Sequence, residues 1–364
     1  MSRDFYALYN VLINSIIHLR EVMSERKLKW GILGAARVNQ RLLPAIMEAP
    51  NSQLVAIASR RAGAAKETLD KYASVPNYAD VTCHDDLESL IADDNVEAVY
   101  CPMANEEHAE WAMKAINAGK HVLIEKPMTT SLVDVLKLEF AAKENNVKVM
   151  EGFMYRFHPQ HNKLHDMINQ GLIGDVLSAR ASFSFLMKPA RMYRINRSMA
   201  DGGGALWDIG PYAVHALRWC FQKDGLPANP RAVVAHAKLN AHGADVVTGG
   251  VFDFGEDAQG RARFGHFDIS FERSRKAEYE IIGDKGWVKC HNAWAYGTDV
   301  PVISWETEDG KSGEEKLPMS NHFNLEIEHF SDCVLNDLVP LLSFDDAKGN
   351  CMATQAVIES IAVE

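Results

Sequence analysis

Short apolar runs alternate with amphipathic stretches through the first half of the chain. Lys29 to Leu33, Leu54 to Ala58, Val96 to Cys101, His121 to Glu125 and Val147 to Glu151 read as buried strands, being too apolar for half-solvated ones. Between them Leu42, Leu43, Ile46 and Met47 recur at helical spacing, and further helices are predicted over 108–118 and 132–145. Alternation of this kind specifies a doubly wound parallel sheet with right-handed crossovers, a Rossmann-type domain over residues 28–151.

Beyond Glu151 the pattern changes. A helix is predicted over 160–170, then strands over 176–185, 232–239, 246–254, 261–271 and 278–282, the later ones joined by Gly- and Asp-rich turns at Phe254-Gly-Glu-Asp and Gly283-Asp-Lys-Gly286. Without crossover helices these strands make a mostly antiparallel, open sheet with a helical layer, an α+β domain over 152–364. Such a sheet with one uncovered face pairs readily with its twin, so a homodimer or homotetramer is expected. Residues 1–27 stand apart. Phe5, Leu8, Leu12, Ile16 and Leu19 share a helical spacing, which gives either an amphipathic arm or a leader to a start at Met23, and neither a signal peptide nor a membrane span.

Charge removes whole classes of partner. A formal net charge of -11 repels nucleic acid and anionic membranes, and any cationic pocket must be local. The six cysteines form no CxxC pair, which fits reduced thiols in a cytoplasmic protein better than a disulfide framework.

The candidate chemistry lies at strand ends. His121-Val-Leu-Ile-Glu125-Lys126-Pro127 is a buried run that stops at an acid, a base and a proline. Pro127 lacks an N–H and holds Lys126 extended, so the ammonium stays at the carboxyl rim, where open α/β sheets bind ligands. The first strand turns through Gly34, Ala35, Ala36, Arg37 and Val38 into a helix, an order that brings backbone N–H groups to a pyrophosphate. Ala36 and Asn39 stand where the dinucleotide fingerprint has glycine. The second strand ends in Ser59-Arg60-Arg61 instead of the acid that holds a ribose hydroxyl, a set that favours the 2'-phosphate of NADP over NAD.

In the second half Asp208 and Tyr212 follow a glycine-rich stretch four residues apart, on one helical face. Tyr212 beside the Lys126 ammonium is expected to titrate below its ordinary value and to transfer a proton. Taken alone, a tyrosine on an apolar helix is more often core packing with its hydroxyl satisfied. His161 and His165 share metal-binding spacing but lack an accompanying glutamate base, so a solvated helix face is expected there, and no metal. Arg191, Tyr193 and Arg194 read as a mobile surface loop within reach of sugar hydroxyls.

With Glu125-Lys126-Pro127, the Gly34 turn, Glu151-Gly-Phe-Met-Tyr-Arg156-Phe-His-Pro159, Asp208 and Tyr212 in view, the chain resembles the Gfo/Idh/MocA oxidoreductases over residues 28–364. Tyr in place of His at 212 is similar to the glucose-fructose oxidoreductase, dihydrodiol dehydrogenase and NADP-xylose dehydrogenase branch. The resemblance implies hydride exchange between a nicotinamide and a carbon of a sugar or cyclic polyol, with Lys126, Tyr212 and Asp208 catalytic. It further implies that Pro102, Asn105 and His108 line the nicotinamide side, with Glu125 beside them, and that Arg156 approaches cofactor or substrate. Two alternatives stay open. One is an oxidoreductase whose NADP stays bound between two sugar reactions; the other is a non-catalytic NADP-binding regulator.

Overall fold

The computed structural model describes residues 26–74, 78, 80–222, 226–294 and 300–362, so the expected arm lies outside the described residues but for Arg26 and Lys27. Six strands form a parallel sheet: β1 (Leu28–Leu33), β2 (Ser52–Ala58), β3 (Thr82–His84), β4 (Ala98–Cys101), β5 (His121–Glu125) and β6 (Val149–Gly152). Their order is β3-β2-β1-β4-β5-β6, and the helices between them are α1 (Asn39–Glu48), α2 (Ala64–Tyr72), α3 (Leu87–Ile91), α4 (His108–Asn117) and α5 (Leu132–Glu144). Strand order reverses between β1 and β4, which opens a crevice beyond their carboxyl ends.

Both faces of this sheet are covered, as continuous apolar runs require. Trp30, Ile32, Tyr100, Leu123 and Met150 point into one core, and their neighbours Leu33, Val99, Cys101, Val122, Ile124 and Val149 into another. The first of these cores runs on into the second half of the chain.

That half contains α6 (Pro159–Asn169), β7 (Val176–Ser184), α7 (Ala205–Asp208), α8 (Gly210–Cys220), β8 (Ala232–Leu239), β9 (Asp245–Glu256), β10 (Ala262–Ser270), β11 (Lys276–Gly283), β12 (Gly286–His291), β13 (Val302–Thr307) and β14 (Ser312–Lys316). The eight strands make one sheet, ordered β14-β13-β12-β11-β7-β10-β9-β8. Pairing is antiparallel except between β7 and β10. The inner face buries Ala179, Ala181, Phe183, Phe267, Ile269, Tyr279 and Ile281 beneath α8 and its neighbours. The opposite face, set by the same register, carries Arg180, Ser182, His266, Glu278, Glu280 and Ile282.

Two closing helices, α9 (His322–Leu335) and α10 (Phe344–Ala362), return to the first sheet. Phe330 of α9 packs 5.4 Å from the ring of Trp30, and the Trp30 indole N–H donates to Ser331 Oγ at 3.2 Å. This clasp fixes the two sheets about the crevice.

Three strands, β12 to β14, extend the sheet past the last one predicted. The histidine pair is another correction. His161 and His165 are buried, not solvated: His161 Nδ1 meets the Tyr279 hydroxyl at 2.8 Å, and His165 packs on Trp219. Among the described residues no group of three or more His, Cys, Asp or Glu is arranged to hold a metal, and no helix is long and apolar enough to cross a membrane.

Candidate active site

Beyond the β1–β4 reversal lies a cleft of about 650 Å³, within the range of ligand pockets, lined from both sheets. Of the sequence-predicted residues, Ala36, Arg37, Val38, Pro102, Asn105, His108, Glu125, Lys126, Asp208 and Tyr212 line it. Gly34 and Ala35 lie in the adjoining turn, and Ser59, Arg60 and Arg61 lie at the end of β2.

The turn after β1 is built for a close backbone approach. Gly34 adopts φ +105°, a left-handed conformation that favours glycine, and a Cβ there would come within 3.3 Å of the Met103 sulfur. Asn39, at the third fingerprint position, is buried, and its side-chain amide donates to the Gly34 carbonyl at 2.8 Å. The amides that open α1, Asn39 to Leu42, bond back to the carbonyls of Ala36, Arg37 and Val38, so the backbone that a dinucleotide pyrophosphate would approach is the turn of residues 35–38.

At the end of β2, Ser59 Oγ accepts from the Arg61 N–H at 3.2 Å. Arg60 makes two hydrogen bonds to Glu107, at 2.5 and 3.1 Å, and Arg61 makes two to Glu67, at 3.2 and 2.5 Å. Exposed pairs of this kind are weak enough for a phosphate dianion to displace.

Four side chains meet at the centre of the cleft. Lys126 leaves β5 through a cis bond to Pro127 and donates from Nζ to the Asp208 carbonyl at 2.8 Å, with the Asp208 carboxylate 3.7 Å away. Arg194 forms an ion pair with the same carboxylate. Tyr212 lies one helical turn on, its ring centre 5.3 Å from Lys126 Nζ.

The glycines before Asp208 make this approach possible. Gly204 has φ +101°, and a Cβ on it would run into the Asp245 carboxylate, which accepts from the Leu206 N–H at 2.9 Å and from Thr248 Oγ1 at 2.6 Å. Asp245 thereby pins the first turn of α7, which carries Asp208.

Burial sets the electrostatics. It pushes the Lys126 ammonium down to about 8, against the opposing pull of Glu125. Burial raises Glu125 itself, whose Oε1 accepts from the Tyr100 hydroxyl at 2.6 Å. Tyr212 is corrected in sign. In place of the expected lowering, burial and then the charge of Glu125 hold the phenol well above its ordinary value, with the hydroxyl 3.4 Å from the Met154 sulfur. A neutral phenol is the form poised to donate a proton.

His108 is pushed down to about 4 by burial; its Nδ1 lies 2.7 Å from the Pro127 carbonyl and its Nε2 3.0 Å from the Met103 carbonyl, and the single N–H of the neutral ring donates to one of the two. Asn105 donates to the Gly202 carbonyl at 3.0 Å, tying the two walls together.

Arg156 does not reach the cleft. Its guanidinium is buried 3.6 Å over the Trp219 ring, inside the second domain. The segment read as a mobile loop is a 3-10 helix, Pro189–Ile195, whose Arg194 completes the site. Neither this pairing nor the apolar wall of Phe183, Trp294 and Phe323 had a local sequence signal.

Residues 28–153 match the oxidoreductase family with an NAD-binding Rossmann fold, and residues 161–289 match the GFO/IDH/MocA C-terminal domain. The chain is 31% identical over 334 residues to dTDP-3,4-didehydro-2,6-dideoxy-alpha-D-glucose 3-reductase of Actinomadura kijaniata, covering 91% of this chain and 94% of the relative. It is 28% identical to D-xylose 1-dehydrogenase (NADP(+)) 2 of Haloferax volcanii, covering 91% and 96%. Among solved structures, the A. kijaniata 3-ketoreductase KijD10 with NADP and TDP-benzene superposes with a TM-score of 0.81 at 29% identity, over 92% of this chain and 98% of that one. The protein belongs to the Gfo/Idh/MocA family of oxidoreductases.

Proposed function

We propose that the protein exchanges hydride between NADP(H) and a carbon of a sugar or cyclic polyol, with Lys126 and Tyr212 handling the hydroxyl proton. The observation that carries this reading is the meeting of Lys126, Asp208 and Tyr212, drawn from two domains, at one end of the cleft. The names of relatives support it: a sugar 3-reductase, an NADP-linked xylose dehydrogenase and a trans-1,2-dihydrobenzene-1,2-diol dehydrogenase. KijD10 has also been crystallised with its NADP as tyrosine-to-phenylalanine and lysine-to-alanine variants.

The amides of 35–38 and Arg37 would hold the pyrophosphate, and Ser59, Arg60 and Arg61 the 2'-phosphate. When bound, the nicotinamide supplies or takes the hydride. Lys126 points its ammonium at the substrate oxygen and stabilises negative charge developing there. Tyr212, neutral in its apolar setting, gives that oxygen its proton during reduction and takes it back during oxidation. Asp208, clamped by Arg194 and beside Lys126, orients the ammonium and accepts a neighbouring hydroxyl.

Six free thiols accord with a reducing cytoplasm, and the uncovered sheet face accords with a homodimer or homotetramer. The deciding assay follows nicotinamide absorbance with NADP and NAD across aldoses, inositols, dihydrodiols and ketosugars, in both directions. Turnover with NADP on one class is expected. A preference for NAD would overturn the reading of the β2 end, and NADP binding without turnover would overturn the catalytic scheme.

A further inference from the structure

The cleft carries positive charge that its own acids do not neutralise. Arg37 and Arg41 from the first domain and Lys188 and Arg191 from the second line the same cleft, and Arg191 lies close enough to feel the charges of Arg37 and Arg41. Arg194 and Arg197, in the same cleft, are neutralised by Asp208 and Glu106. Among the described residues no carboxylate pairs with Arg37, Arg41, Lys188 or Arg191. The guanidiniums are seated on apolar rings: Arg191 lies 5.2 Å from the centre of Phe185, and Arg41 lies 5.5 Å from that of Phe323. Arg191 is pushed down first by burial and then by the charges of Arg37, Arg194 and Arg41, so the cluster repels itself. In a chain of net charge -11, unpaired like charges gathered inside one cleft mark an anion-binding surface.

The cofactor accounts for part of this charge. Its pyrophosphate belongs at the amides of 35–38 beside Arg37, and its 2'-phosphate at the end of β2. Lys188 and Arg191 lie elsewhere, on the segment that leads from Phe183 and Phe185 to Arg194. Phe183 packs 5.5 Å from Tyr212, so this segment flanks the reacting end. Arginine forks and a lysine converging from two walls match phosphate oxygens better than sugar hydroxyls.

We propose that the substrate is a sugar bearing a phosphate group, held between Arg41, Lys188 and Arg191 while its carbinol carbon lies at Lys126 and Tyr212. This rests on the reading of the protein as an NADP-linked sugar oxidoreductase. The phosphate is either a simple ester or the diphosphate of a nucleotide-linked sugar.

The test compares free sugars, sugar phosphates and nucleotide-linked sugars as substrates of the full chain and of Arg191→Gln and Lys188→Gln. The phosphorylated form is expected to exceed its free counterpart in kcat/KM by at least about tenfold, and Arg191→Gln to remove most of that advantage. Turnover of the free sugar and the Kd for NADPH are expected to stay within about twofold. Which phosphorylated class is preferred separates the two sources. Equal kcat/KM for free and phosphorylated sugars, or a rise in NADPH Kd that accounts for the whole effect of Arg191→Gln, overturns the inference.

The same variants are titrated calorimetrically, loaded with NADP, against inorganic phosphate and sugar phosphate. Arg191-dependent binding without turnover upholds the phosphate site while sinking the oxidoreductase reading. Absence of such binding sinks the site itself.

Discussion

Lys126 combines two demands that oppose each other. Its ammonium is nearly buried between Asp208 and the Tyr212 ring, and burial takes it down to about 8. The unfolded chain holds that proton to about 10.4. Between these values the unfolded state binds more protons, so stability rises with pH across the window, and below pH 8 the full penalty stands, on the order of 3 kcal/mol. Lys126→Met removes that penalty while Arg194 still neutralises Asp208. It is expected to unfold at higher denaturant concentration, by about 1–3 kcal/mol, while kcat falls by about two to four orders of magnitude. In the unaltered protein, kcat/KM for reduction is expected to be level below pH 8 and to fall as the ammonium is lost above it. A pH profile without that limb would remove Lys126 from the chemistry. The lysine was legible because a proline and a strand end mark it. Arg194 was legible as a loop residue within reach of sugar hydroxyls but not as the partner of Asp208, because Asp208 lies beyond an intervening glycine stretch and the pairing exists solely in the folded chain.

The β1 turn shows how an element can depart from its motif and keep its geometry. Gly34 supplies the left-handed bend, but the third fingerprint position is filled by Asn39, whose side chain ties the Gly34 carbonyl across the turn. Restoring the consensus glycine is therefore expected to harm. Asn39→Gly loses a buried hydrogen bond and gains backbone freedom at the start of α1, for a cost of about 1–3 kcal/mol in urea unfolding and a weaker, not tighter, Kd for NADP. Tighter binding by Asn39→Gly would mean that the asparagine is a tolerated substitution and not a strut. The parallel strands were readable because burial on both faces makes them continuously apolar. Strand β14, Ser312–Lys316, was not, since Ser-Gly-Glu-Glu-Lys at a sheet edge contains no apolar residue and reads as loop. The crossover elements α2 and α3 are only nine and five residues long, too short for a helical period to stand out, and they too left little pattern.

At the scale of the whole molecule, the two sheets divide the work. The parallel sheet and the inner face of the second sheet, clasped by α9 and α10, fix the cleft, while the outer face of the second sheet is left to other uses. That outer face mixes apolar side chains, Phe264 at 41% exposed and Val234 at 67%, with cross-strand ion pairs such as Lys289 to Glu278 at 2.9 Å. An eight-stranded face offers more than the roughly 800 Å² per partner that a stable interface buries, and a twofold axis through it would match each patch to itself. Phe264 sits on β10, third from the β8 edge, opposite Ser178 and Asp253 of the neighbouring strands, where a single charge meets its own copy or that of an adjacent strand across the axis. Light scattering at micromolar concentration is expected to give at least twice the chain mass for the unaltered protein, and the single-chain mass for Phe264→Glu. Because Phe264 points away from the cleft, the variant should bind NADP with an unchanged Kd, and a variant that remained associated would move the interface off this face.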